Sequence, residues 1–295
     1  MRFSHLALAL LVTVIWGSNF SVIKWSLGGT DPLLMAALRF TLCALPAVFF
    51  IPRPQVRWSY LVSYGVLFGS MVWGLCNLGI AAGLSAGLTS LVVQAAAFFA
   101  VGLSAYLYRE TLGWHQKLGG VLAAAGLLLI FMVTDGSVSV KGVLLALAGA
   151  FCWAVSNFVV KEARTPQMLG FLVWSCLFAP LPLYGISYCQ HDAAYIVTQI
   201  RQLPAPVWLA LLYQVYVATL FGYTVWNALM RRYSVSQIAP LSLMVPVFGM
   251  SLSAWLFQEA LGAQKLLAAA LVLLGLLVNL FGPRWLNRLL QPRSI

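Results

Sequence analysis

Two stretches of the chain carry the same side chains at the same spacing. Trp16 precedes Lys24 by eight residues, Trp153 precedes Lys161 by eight, and Asn19 and Asn157 follow the two tryptophans closely. An indole face attracts a cation, and a carboxamide both donates and accepts hydrogen bonds. Such a set can hold a small zwitterion without reacting with it. The same residues also suit plain helix packing, with the two amides bonded to each other across the bundle. Other polar groups stand alone in apolar surroundings. Asn77 and Gln94 are isolated amides, Gln94 is followed by Ala95, Ala96 and Ala97, and Ser242 lies between Pro240 and Pro246. Small neighbours leave room for a cavity or a close helix approach. Proline frees backbone carbonyls, which can accept from an ammonium group or serve a kink. Tyr216, Thr219, Tyr223 and the pair Trp226 and Asn227 recur at three- or four-residue steps, which draws one polar-aromatic helix face.

Charge is scarce among these residues. Arg39 alone lies well inside an apolar run, and Lys24 lies near the end of one. They are the candidate charge partners of a substrate carboxylate. The alternatives are a salt bridge or phosphate contact for Arg39 and snorkelling to the interface for Lys24. Glu110 and Glu259 fall between apolar runs, each ahead of a following helix. A carboxylate there suits the positive end of the helix dipole, so both are read as structural helix-end acids rather than proton carriers.

Bond-making chemistry needs clusters that this chain lacks. His5, His115 and His191 lie in separate parts, the six acids never cluster, and no phosphate-binding GxxxxGK[ST] motif occurs. The five cysteines include no CxxC pair, which excludes a zinc site or disulfide framework and leaves them as small buried hydrophobes. No catalytic residue, metal or cofactor is expected, and the chain reads as a non-enzyme.

The elements that position the polar set must be membrane helices. Of 295 residues, 62% are hydrophobic and 8% charged, against about 25% charged in soluble proteins. The mean hydropathy is +0.93. A soluble enzyme and a disordered chain are both excluded. Apolar runs of about 20 residues, the length that crosses a bilayer, fall at 5–27, 33–51, 60–82, 87–107, 116–134, 141–160, 168–189, 206–230, 237–257 and 263–282. The stretch 60–107 admits another division, and 189–206 reads as an amphipathic loop. Arg2 and the run Leu6 to Ile15 suit a signal peptide, but no small-x-small site follows, so the first run is read as a retained helix.

The net charge of +11 does not form the single stripe that nucleic acid requires. It punctuates the apolar runs instead. With ten spans, the side of the termini receives Arg2, Arg53, Arg57, Arg109, Lys117, Lys161, Arg164, Arg231, Arg232, Arg284, Arg288 and Arg293, and the other side only Lys24, Lys141, Arg201 and Lys265. This bias puts both termini in the cytoplasm.

The halves also repeat. Ser85, Ser104, Ala105, Leu107, Glu110, Leu112 and Gly113 align at one offset with Ser234, Ser253, Ala254, Leu256, Glu259, Leu261 and Gly262, and Gly126 with Gly275 continues it. Five spans per repeat is an odd number, so the second copy enters the membrane upside down. The expected architecture is all-α, ten transmembrane helices in two inverted five-helix repeats, 1–137 and 138–295, forming one membrane domain.

Particular stretches resemble a known family. They are Ile15 to Phe20, Leu38-Arg39-Phe40, Gly87 to Ala95, Val217 to Tyr223 and Ala239 to Val247. With the two repeats, they resemble the EamA-type branch of the drug/metabolite transporter superfamily, and within it the efflux pumps for amino-acid metabolites. The likeness runs from about His5 to Trp285. It implies a secondary exporter in the bacterial inner membrane, acting by alternating access. Its solutes would be small zwitterions such as O-acetylserine and cysteine, its surroundings lipid, and its candidate coupling ion a proton. It implies a central cavity lined by the first, third, fourth, sixth, eighth and ninth spans. Arg39 departs from the internal pattern, having no basic counterpart in the seventh span. The rival functions are a broader drug or metabolite exporter and a facilitative channel. Paired Asn-Pro-Ala half-helices of the aquaporin kind are absent.

Overall fold

The computed structural model describes residues 1–290, and their side chains except those of 235–236 and 283–290. Arg284, Arg288 and Arg293 of the charge count, and Trp285, therefore lie outside the described side chains. Among the described residues there is no strand. Ten helices are long and apolar enough to cross a membrane: α1 (Phe3–Ser26), α2 (Pro32–Phe49), α3 (Trp58–Ala81), α4 (Ala86–Tyr108), α5 (Trp114–Phe131), α6 (Val140–Ala163), α7 (Met168–Gln190), α8 (Ala205–Arg232), α9 (Ala239–Phe257) and α10 (Ala263–Gly282). They match the ten apolar runs one for one. Lipid offers no partners to a peptide group, so each run must satisfy its own backbone as a helix. The ambiguous stretch 60–107 breaks at a turn where Gly83 takes φ +100°, and Ser85 then caps α4 by accepting from the Leu88 N–H. The stretch after α7 forms a short amphipathic helix, Ala193–Gln202, capped by Asp192. Asp31 caps α2 by accepting from the N–H groups of Leu33 and Leu34, with Pro32 in the first turn.

Glycines set the closest helix contacts, as small residues do where no hydrophobic force drives association. A Cβ on Gly17 of α1 would stand 2.7 Å from the Val245 carbonyl of α9. In the α5–α10 seam, a Cβ on Gly119 would meet the Gly275 carbonyl at 2.6 Å, and one on Gly126 the Ala268 carbonyl at 2.7 Å. The early part of α5 therefore meets the late part of α10, and these two helices run antiparallel.

Irregularities recur at matching places in the two halves. A π-helical segment occupies Gly65–Trp73 of α3 and another Tyr213–Phe221 of α8. Short 3-10 segments occur at Val93–Ala95 in α4 and Ala239–Leu243 at the start of α9. Both α4 and α9 end at a left-handed residue, Arg109 with φ 54° and Gln258 with φ 53°.

Those left-handed turns correct the reading of the two helix-end acids. Each turn folds the chain back, so the carboxylate meets its own preceding helix instead of the N-terminus of the next one. The Ser104 hydroxyl donates to Glu110 at 3.1 Å, and the Ser253 hydroxyl donates to Glu259 at 2.9 Å. The following helix α5 is capped by the Gln116 side chain, which accepts from the Gly113 N–H. Lys24 does not snorkel free either, because it forms an ion pair with Glu259 at 2.5 Å. Lys265, counted among the few basic residues on the side away from the termini, has a side chain only 4% exposed and pairs with Asp135 at 2.6 Å in the loop between the halves. Burial acts to raise the Asp135 carboxyl, but the hydrogen bonds and charge of Lys265 and Ser137 outweigh it and hold the group down to about 2.

Candidate functional site

The polar set converges on a cavity of about 480 Å³ in the middle of the bundle. Trp16 and Asn19 come from α1, Gln94 from α4, Trp153 and Asn157 from α6, Tyr223 and Trp226 from α8, and Ser242 from α9. All eight belong to the set singled out in the sequence. The wall extends beyond the expected spans. Arg39 enters from α2, Phe171 from α7 and Asn279 from α10.

Two expected lining residues are elsewhere. Asn77 is buried on the α2 side of α3, where its amide donates to the Pro32 carbonyl at 3.1 Å. It ties the start of α2 to the end of α3. Tyr216 is 45% exposed on the outer surface of α8. The reason is the π segment, whose wider turn breaks the three- and four-residue face assumed for a regular helix. Tyr223 and Trp226, beyond the segment, keep the inward face. Lys24 also lies outside the cavity lining.

The cavity wall is largely aromatic. Trp16 packs against Tyr223 and Trp226, each with ring centroids 5.1 Å apart. Trp73, Trp153 and Phe20 continue the wall. The Trp16 indole N–H is not free for a ligand, because it donates to the Ala218 carbonyl at 2.9 Å. That acceptor lies inside the π segment, where i→i−4 bonding is disrupted. The Trp16 ring face therefore meets the cavity while its polar edge anchors α1 to α8.

Arg39 is the buried charge of the site, at 2% exposure. Its guanidinium stacks over the Trp73 ring at 4.2 Å, and Nη2 donates to the Thr219 hydroxyl at 2.9 Å. Thr219 in turn donates to the Gln214 carbonyl at 2.7 Å, five residues back, as a π turn permits. Nε and Nη1 of Arg39 have no partner, and neither does Oδ1 of Asn19. Among the described residues, no Asp or Glu lines this cavity. A buried guanidinium with unpaired donors and no counter-ion among the described residues is costly in the membrane. It is also well shaped to take a carboxylate in a two-bond fork.

Thr219, picked out with the α8 face, holds Arg39, and Trp73, Phe20 and Tyr64, which the spacing missed, complete the wall. The nearest signal for them in the sequence was their place in apolar runs, which does not separate wall from core. No group of three or more His, Cys, Asp or Glu side chains that could hold a metal occurs among the described residues.

The model of the EamA-like transporter family matches residues 4–132 and again 140–281. A protein of Salmonella typhimurium described as a probable amino-acid metabolite efflux pump is 40% identical over 285 residues, covering 94% of this chain and 95% of its own. One of Escherichia coli with the same description is 38% identical over 284 residues, covering 94% and 95%. A crystal structure of a protein 20% identical to this chain superposes with a TM-score of 0.61, covering 95% of this chain and 98% of its own, which speaks for the fold alone.

Proposed function

The chain belongs to the EamA-like transporter family, and from that premise we propose that it exports small amino acids and their metabolites, of the O-acetylserine and cysteine kind, across the bacterial inner membrane. The single observation that carries the zwitterionic substrate class is Arg39, with two unpaired donor groups at a cavity free of acids among its described lining residues. A substrate carboxylate would take one edge of the guanidinium, Nε or Nη1 together with Nη2. The ammonium would lie against the ring faces of Trp16, Tyr223 and Trp226, with the Asn19 and Gln94 amides in reach of the side chain. A lipophilic cation meets the wrong charge at Arg39, which sets the amino-acid reading ahead of a drug exporter.

The proposal includes two inverted repeats, 1–137 and 138–295, that rock about the cavity. The family model's two matches and the paired irregular turns support it. It also includes cytoplasmic termini, on the basic-residue asymmetry. With no carboxylate among the described residues of the cavity wall, solute would leave down its own gradient, without an obligatory proton.

Counterflow in liposomes tests the reading. Purified protein should exchange radiolabelled cysteine and O-acetylserine saturably and with weak affinity, and empty vesicles should not. Exchange confined to lipophilic cations would overturn the substrate class. Accumulation of solute driven by an imposed pH difference would overturn the uncoupled mechanism. A reporter fused to the C-terminus that is active only on the periplasmic side would invert the orientation.

A further inference from the structure

Lys24 and Glu259 have counterparts in the other half of the chain, and the counterparts differ in one respect. Two sites, each built across the halves, bring together a lysine of one half with a serine, an aromatic ring and a glutamate of the other. Lys24 of α1 lies over the ring of Phe257, 4.3 Å from its centroid, and Lys161 of α6 lies over the ring of Tyr108 at 4.5 Å. Ser253 holds Glu259, and Ser104 holds Glu110. In both copies the glutamate follows the left-handed residue that ends the helix. The difference is the ion pair. Lys24 meets Glu259 at 2.5 Å, with the glutamate side chain only 12% exposed. Lys161 and Glu110 form no ion pair among the described residues, and both border an open cavity of about 730 Å³.

The helices carrying these groups differ in the same sense. Near the Lys24 end, α4 and α9 are in close contact: a Cβ on Gly87 would meet the Met250 backbone at 2.9 Å, and one on Gly249 the Ser90 hydroxyl at 2.4 Å. Near the Lys161 end, the second half of α4, Ala96–Tyr108, packs on α6 and leaves α9. Asn157, one turn before Lys161, borders both the open cavity and the central one.

We infer that Lys24–Glu259 and Lys161–Glu110 are two locks of one transport cycle, closed in turn at opposite ends of the central cavity, and that this structure has the first closed and the second open. The inference rests on the reading of the halves as inverted repeats. Both sites are already assembled except for the second ion pair: the open lysine sits on its ring and the open glutamate on its serine. Closing requires only that the two approach. A partly exposed ion pair is weak, and a weak pair can be broken and remade in each cycle. The arrangement makes Lys161 and Glu110, which a static description would call surface charges, functional groups of the transporter.

Paired cysteines in the full-length protein test this, in native membranes and in a Cys189→Ser background that removes the exposed thiol. One variant carries K24C and E259C, the other K161C and E110C, and each is treated with a short bis-methanethiosulfonate, which links the two cysteines through disulfides and releases methanesulfinate. Both pairs should crosslink. Either crosslink should stop the solute counterflow that the uncrosslinked variant retains, and cleavage of the linker should return it to that uncrosslinked level. Cysteine or O-acetylserine should shift the yield of the two crosslinks in opposite directions. A K161C/E110C pair that never crosslinks in folded protein, or a crosslink that leaves counterflow intact, overturns the inference. If both pairs crosslink and no amino acid is exchanged even by the unmodified protein, the locks stand and the substrate reading fails. Charge reversal adds a second readout. K161E or E110K alone should lower counterflow at least tenfold, and the double swap should recover most of it. Equal loss in singles and double, with normal folding by size exclusion, would show a merely structural role for these charges.

Discussion

Arg39 shows how much depends on one side chain with unmet hydrogen bonds. A hydrogen bond to a charged group is worth about 1.5–3 kcal/mol, so losing the fork should weaken a carboxylate ligand roughly ten- to a hundredfold. R39Q should therefore lose competition by amino acids in counterflow, and R39K, which keeps the charge but not the planar fork, should recover only part of it. Methyl esters of the same amino acids should compete poorly with the wild type and no worse with R39Q. Equal competition by acid and ester in the wild type would remove Arg39 from the substrate site. Asn77 makes the contrasting case. N77A should lower thermal stability by about 1 kcal/mol, the worth of one hydrogen bond, and leave the counterflow KM unchanged. Asp135 carries a pH dependence. Its carboxyl is lowered from 3.8 to about 2 by Lys265 and Ser137, so its contribution to stability is complete above pH 3.8 and is lost as the pH falls toward 2. The wild type should melt above D135N at pH 7, and the gap should close in that acid window. A gap independent of pH would mean that the ion pair does not contribute.

At the scale of helices, the glycine seams decide which elements can touch. G126A puts a methyl group 2.7 Å from the Ala268 carbonyl and 2.8 Å from a Val272 methyl, so α5 and α10 must part. The expected cost is about 1–3 kcal/mol, the usual range for overpacking, read as a lower melting temperature in detergent. G120A, with open space around its position, is the neutral control. The spans themselves were legible because lipid demands long apolar runs, and ten runs returned ten helices. Gln94 was legible because three alanines follow it, and Trp16 and Trp153 because they repeat. The faces were less so. A regular helical period put Tyr216 beside Tyr223, whereas the π segment over Tyr213–Phe221 turns Tyr216 outward. Nothing in the local residue types marks that segment, because it is stabilised by tertiary bonds such as Trp16 to Ala218 and Arg39 to Thr219. The partners of Glu110 and Glu259 were hidden for a related reason. Their direction depends on left-handed turns at Arg109 and Gln258, residue types that rarely take that conformation.

At the scale of the molecule, the bundle is unequal at its two ends although its halves carry matching parts. The end of Lys24 is shut by an ion pair and by the contact of α4 with α9, and the end of Lys161 is open. On the reading of the halves as inverted copies, each half already holds the shape that the other adopts at the next stage. The form with the other end open then needs no new fold and no new contact type. It is the present form with the roles of residues 1–137 and 138–295 exchanged, as a glove turned inside out fits the other hand. Evolution has in this sense stored two machines in one set of parts. A mutation in either half then strikes one of them first, and its phenotype would depend on which side of the membrane the solute is waiting.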